Sequence, residues 1–190
     1  MEQLKKDLHY YNVHHREDRN NFTHQIKSLK KQVRHSGKNL VFLCIGSDRA
    51  TGDCFGPLVG EALLHHFSKS SSPSSMPIVF GTLHSPVHAM NLEKTILSIQ
   101  ETLYNPYIAA IDASLGIRQH VGYVTFGDGP LLPGIGVRKS LPKVGDVSIT
   151  GIVNLSGNNS HGTLQTTRLS TVMELSDFVS NCILNAYRVI

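Results

Sequence analysis

A chain of 190 residues with 40% hydrophobic content and no Trp has the size of one domain, perhaps with an appendage, and enough apolar material for one substantial core. No apolar run nears the ~18 residues that a membrane-spanning helix needs, and the N-terminus opens on charged and polar residues with no apolar secretory stretch. Cys44, Cys54 and Cys182 stand at unpatterned spacing, which argues against a disulfide framework and for a reducing interior, so a cytoplasmic location is expected.

The net charge of +4 is uneven. Residues 1–39 hold nine Lys/Arg against four Asp/Glu, while the rest of the chain has nine against ten. The basic character therefore belongs to the N-terminal segment. That segment lacks the dense, aromatic-interleaved pattern of a nucleic-acid binder, so nucleic acid is not an expected partner. Within it, Phe22, Ile26, Leu29 and Val33 recur at helical spacing among Lys27, Lys30, Lys31 and Arg34, and Ser36-Gly37 ends the run. An amphipathic helix is expected, laid on the domain or on a second copy of the chain in a homo-oligomer. Residues 1–38 form a basic helical arm in this division, and 39–190 the α/β domain.

"NLVFLCI" (39–45) reads as a fully apolar strand of the kind buried on both faces of a parallel sheet. Pro57 suits the first turn of a helix whose apolar face carries Leu58, Ala62, Leu63 and Phe67. "SKSSSPSSMP" (68–77) is a polar, low-complexity loop, and "IVFG" (78–81) a second strand. Leu92, Ile96, Ile99 and Leu103 mark a further helix, and "YIAAIDA" (107–113) a third buried strand ending near Asp112. "VGYVTF" (121–126) alternates as an edge strand would. A long Gly/Pro-rich connection (127–146) follows, then a fifth strand (147–154). Residues 165–187 make a closing helix with Leu169, Val172, Met173, Leu175 and Val179 inward. This order predicts a three-layer α/β/α sandwich with a mostly parallel five-stranded sheet.

In such sheets ligands bind beyond the carboxyl ends of the strands. Asp48 and Asp53 follow the first strand in "GSDRATGDCFGP", and Asp112 closes the third. Adjacent strands run ~4.8 Å apart, so acids at their ends face one another across a narrow crevice. Paired carboxylates repel, which makes one a proton donor and the other a base. The competing reading is structural, with Asp53 capping the helix that begins near Gly56-Pro57 and Asp112 accepting from loop amides. "GSDRATG" fits neither the dinucleotide nor the phosphate-loop pattern. Cys54 has a helix start beside it, but its setting in "CFGPLVG" favours packing over nucleophilic attack. His84, His88 and His161 join the acids as metal-ligand candidates, although Pro86 separates the first two.

The stretches "CIGSDRATGDCFGPLVGEALL", "IAAIDASLG" and "GIGVRKSLPKVGDVSITGIVN" together resemble the YyaC family of sporulation proteins of endospore-forming bacteria. That family is similar to the spore germination protease and, more distantly, to the hydrogenase maturation endopeptidases, a fold of the hydrogenase maturation protease/phosphorylase-like kind. The resemblance spans about residues 39–188. It implies that Asp53 stands where the germination protease has one essential aspartate, before the turn into a helix. Asp112 stands where a second one ends an "IAIDA" strand. The maturation endopeptidases place metal-binding acids at both positions and add a histidine from a later loop, but "RKSLPKVGD" offers Lys143 and no histidine there. "GIGVRK" matches a "G-x-G-V…K" pattern, which implies that Arg138 and Lys139 line the same cleft.

The expectation is therefore a sporulation-associated peptidase in the cytoplasm of a sporulating cell or forespore. Asp53 and Asp112 share the acid and base roles, and Asp48, Arg49, His84, Arg138 and Lys139 line the cleft. No metal, cofactor or membrane is expected, and the partner is a peptide or small protein substrate. The alternative is a non-catalytic relative that binds a peptide or protein partner.

Overall fold

The computed structural model describes residues 8–70, 76–133 and 141–187. In chain order they form β1 (Leu8–Asn12), α1 (Arg16–His35), β2 (Asn39–Cys44), α2 (Phe55–Phe67), β3 (Ile78–Phe80), α3 (Leu92–Thr102), β4 (Pro106–Gly116), β5 (Tyr123–Asp128), β6 (Val147–Leu155), α4 (Ser160–Gln165) and α5 (Leu169–Tyr187). A short 3-10 turn, Thr51–Cys54, leads into α2.

The strands lie in the order β1-β5-β6-β4-β2-β3. The pairs β2/β3, β2/β4 and β4/β6 are parallel, and β5 runs antiparallel to both of its neighbours. The α/β/α sandwich with a mostly parallel sheet is thus observed, with six strands among the described residues where the sequence suggests five. The additional strand is β1. Its pairing from Leu8↔Gly127 to Asn12↔Tyr123 also makes β5 an interior strand, which corrects the edge assignment of "VGYVTF". The cause is local: "LHYYN" carries little apolar signal, and only Tyr11 within it is buried.

The central strands are apolar because both faces are covered. On one face β2, β4 and β6 meet α1, α2 and α5 through Phe42, Phe55, Ile111, Ile149, Leu175 and Phe178. The other face packs Val41, Leu43, Ile108 and Ala110 against Leu92 and Ile99 of α3 and against Leu131 and Val144 of the long connection. The apolar stripe of α1 is covered within the chain. Phe22 sits between Tyr11, Phe126 and Phe178, with ring centroids 5.0, 6.5 and 5.5 Å away. Ile26, Leu29 and Val33 are buried beside it. Gly37, at φ +64°, ends the helix with its N–H on the Arg34 carbonyl.

The closing helix, expected over 165–187, is α5 and begins at Leu169, and a short helix not expected from the sequence, α4, precedes it. Val172, Leu175 and Val179 are buried as expected, together with Phe178, Cys182 and Ile183, whereas Leu169 and Met173, also expected inward, are 57% and 39% exposed. Within 127–146, Leu131 and Val144 pair in an antiparallel bridge and anchor both ends of the connection in the core.

Candidate functional site

The topology selects one end of the sheet. From β2 the chain passes through α2 to β3 on one side, then through α3 back across to β4 on the other, so the connections diverge between β2 and β4. A doubly wound sheet opens a crevice at that point, beyond the carboxyl ends of the strands. β2 ends at Cys44, and Ile45 extends it by one bond, its N–H donating to the Ile111 carbonyl at 2.7 Å. Asp112 is therefore the first residue of β4 to stand beyond its neighbour. It does not end its own strand, which continues to Gly116 and pairs Asp112 with Thr150 of β6.

Gly46 follows, at φ +135°, a conformation L side chains rarely adopt, and a Cβ there would collide with the Asp53 carbonyl. The chain then doubles back. The Ser47 N–H donates to Oδ2 of Asp53 at 2.8 Å. Asp53 thus spends its carboxylate on the loop behind it and not as the cap of α2, which has no side-chain cap. A third segment is bound in by Ile45, which bridges Val87 in parallel, and by the Gly46 N–H, which donates to the Val87 carbonyl at 2.8 Å. That tie carries His88 to the loop. A fourth segment arrives because Gly52 has no side chain: a Cβ there would press on Leu164 and Thr167, so α4 can seat against the 3-10 turn. His161 belongs to this helix.

These segments enclose a pocket of about 260 Å³ lined by Ile45, Gly46, Ser47, Arg49, Ala50, Asp53, His88, Ala89, Met90, Asp112, Leu141, His161 and Leu164. Asp53 and Asp112 share it. Asp112 is 6% exposed, and its Oδ1 accepts from the Ala113 N–H at 2.8 Å. Burial pushes the Asp53 carboxyl above the usual carboxylate range, and the Ser47 hydrogen bonds and the neighbouring His88 and His161 pull it part of the way back. His88 is steadied at both ends: its backbone N–H reaches Asn91 Oδ1 at 2.8 Å, and its Nδ1 accepts from the Met90 N–H at 3.3 Å.

Of the other expected cleft residues, Arg49 lines the pocket. Asp48 is exposed and lies outside the lining, near enough to Cys54 to raise its thiol together with Asp53, after burial, which is the largest cause. That shift works against a thiolate. His84 is exposed and absent from the lining, and His88, four residues on, is the histidine brought in. Arg138 and Lys139 lie outside the described residues. His88 and His161 were visible in the sequence only as lone histidines, because long-range packing at Val87 and Gly52 brings them in. Among the described residues no three His, Cys, Asp or Glu side chains group so as to hold a metal ion.

Fold and site define a doubly wound α/β/α protein with two carboxylates facing one pocket at its switch point. The chain belongs to the family described as "Protein of unknown function (DUF1256)", whose pattern matches residues 13–182 and so takes in all of α1. It is 46% identical over 153 residues to "Uncharacterized protein YyaC" of Bacillus subtilis (strain 168), covering 80% of this chain and 70% of that one. Among solved structures, it is similar to the [NiFe] hydrogenase maturation protease HycI from Thermococcus kodakarensis KOD1. That match has a TM-score of 0.48 and 16% identity, and covers 83% of this chain and 99% of that one.

Proposed function

We propose that the protein is a sporulation-associated peptidase of the germination-protease type, working in the cytoplasm of the sporulating cell or forespore. One observation carries the reading: Asp53 and Asp112, from segments 59 residues apart in sequence, face the same pocket at the switch point, and burial holds one of them toward its protonated form. Two carboxyls in such a setting divide the work of amide hydrolysis. Asp112 takes a proton from a water as its oxygen adds to the peptide carbonyl carbon. Asp53 gives its proton to the departing amine nitrogen as the C–N bond breaks. One proton is gained and one given, so the net charge of the pair is unchanged, and passage of a proton from Asp112 to Asp53 restores the starting state. Arg49 at the rim supplies a cation for a substrate carbonyl or carboxylate.

Purified protein incubated with a peptide library, with mass-spectrometric mapping of cleaved bonds, tests the reading. Cleavage by the native chain and none by Asp112→Asn of unchanged fold is the expected result. If the native chain cleaves nothing yet retains a subset of the peptides through the same pocket, the non-catalytic binding module is the correct reading.

A further inference from the structure

We infer that the concave basic face formed by the last turns of α1 against the end of α5 binds a multiply charged phosphate anion. This hollow, of about 590 Å³, is lined by Lys27, Lys30, Lys31, Arg34 and His35 of α1 and by Ala186 of α5. It lies at the opposite end of the sheet from the carboxylate pocket. His35 precedes Asn39, where β2 begins, whereas the pocket follows Cys44, where β2 ends. Six residues of strand separate the two levels by roughly 20 Å.

Three helices on this face of the sheet finish at this end, and the sequence removes every acid from their final turns. α1 carries no Asp or Glu after Asp18, α2 none after Glu61 and α5 none after Asp177. α2 closes on His65 and His66, with Lys69 just beyond, and its Phe67 ring lies 5.4 Å from that of Tyr187 at the end of α5. Part of this positive charge answers the three helix C-termini, each equivalent to about −0.5. Four permanent cations on α1 and Lys69 exceed that sum. No ion pair to Lys27, Lys30, Lys31 or Arg34 exists among the described residues.

Lys30 is held at the floor. Its Nζ donates to the Ala186 carbonyl at 3.3 Å and sits 4.2 Å from the centroid of the Tyr187 ring. Burial first, and then repulsion from Arg34 and Lys27, lower its affinity for a proton, and an anion would relieve the second of these effects.

Lys27, Lys30, Lys31 and Arg34 occupy positions i, i+3, i+4 and i+7, one stripe roughly 10 Å long. A single carboxylate matches one of these charges. A chain of phosphates matches several within the same length and accepts from each ammonium. The Tyr187 ring, already engaged by Lys30 and Phe67, offers no free platform for stacking a base. Recognition is therefore of phosphate and not of base, whether the phosphates come from a free oligophosphate or nucleotide or from a nucleic-acid backbone.

Calorimetric titration with inorganic tripolyphosphate and fluorescence anisotropy with a labelled 20-base-pair duplex, both in the full chain at low salt, test the inference. Lys31→Glu, at an exposed position, is compared with Lys94→Glu, a matched reversal on α3 across the sheet. Binding of either probe that Lys31→Glu weakens by about tenfold or more and Lys94→Glu leaves unchanged supports the site. Saturation by tripolyphosphate at one equivalent then identifies a free phosphate ligand. Binding of the duplex alone, falling steeply with salt, identifies the nucleic-acid backbone. Binding of neither probe, or equal weakening by the two reversals in protein of unchanged melting temperature, overturns it. None of these readouts depends on peptide cleavage.

Discussion

The Ser47 backbone N–H donates to Oδ2 of Asp53 at 2.8 Å, across six residues of loop. This one bond fixes the site's geometry, because it turns the carboxylate back toward the end of β2 and away from the amides of α2. It also stabilises the ionised form of a group whose burial favours the neutral form. The resulting balance makes Asp53 the titrating member on which the expectations below depend.

Asp53→Asn and Asp112→Asn are each expected to reduce peptide cleavage by orders of magnitude, with the double variant little worse than either single one, since the two act as a unit. In Asp53→Asn the amide oxygen can still accept from Ser47, so the circular-dichroism spectrum should be unchanged. Near-normal turnover by both single variants on a confirmed substrate would sink the dyad.

The pH dependence of stability has a definite sign. The folded-state pKa of Asp53 is raised, so between the ordinary carboxylate value and the raised one the native state binds more protons than the unfolded state. Stability from this group is fully present below that window and is lost as pH rises through it. The melting temperature of the native chain relative to Asp53→Asn should accordingly fall with rising pH across the window. His88→Ala and His161→Ala each remove a neighbour that favours the ionised Asp53 carboxylate, so each should push the upper edge of the window higher. A relative stability that rises with pH would reverse the assignment.

At Gly46 the expected outcome concerns both fold and function. Gly46→Ala forces a side chain into φ +135° and against the Asp53 carbonyl. The backbone conformation alone costs about 1–3 kcal/mol. Chemical denaturation should show at least that loss. Any folded fraction should also lose cleavage activity, because relieving the contact moves Asp53. Gly122→Ala is the control: it too has positive φ but nothing within 4 Å of its added Cβ, so it should destabilise without touching activity.

Much of this architecture could be read from periodicity. The apolar run at 39–45 marks a strand buried on both faces, and the stripes at 22–33 and 92–103 mark helices that bury one side only, so each leaves its own periodic signal. β1 escaped because a strand at a sheet edge needs only its backbone bonds, and "LHYYN" buries a single residue of five. The two aspartates were visible through their places after "VFLCI" and within "IAAIDA". His88 and His161 were visible only as two of three candidate metal-ligand histidines, for a different reason. Nothing local distinguishes them from other loop histidines, and their position depends on the Ile45–Val87 bridge and on the bare backbone at Gly52. The same limit explains His84, which fell on the wrong side of the turn in which the Thr82 N–H donates to the Ser85 carbonyl.

The last expectation separates two roles for the N-terminal segment. An inhibitory propeptide would cover the carboxylate pocket and leave a stable enzyme once removed. None of the residues lining that pocket comes from α1 or β1. Instead Phe22, Ile26, Leu29 and Val33 are each at most 3% exposed against α5 and the sheet, and β1 completes the sheet beside β5. Four such side chains contribute about 1.5–3 kcal/mol apiece, which is comparable with the whole stability of a small domain. Deleting residues 1–36 should therefore lower the melting temperature sharply or prevent folding, with no gain in cleavage. Because a truncated chain that fails to fold reports nothing on activity, Phe22→Ala provides the graded version. It opens a cavity between Tyr11, Phe126 and Phe178 and should cost about 3–5 kcal/mol while leaving the pH profile of the folded fraction unchanged. A truncated protein as stable as the full chain and several-fold more active would show that the segment is a propeptide.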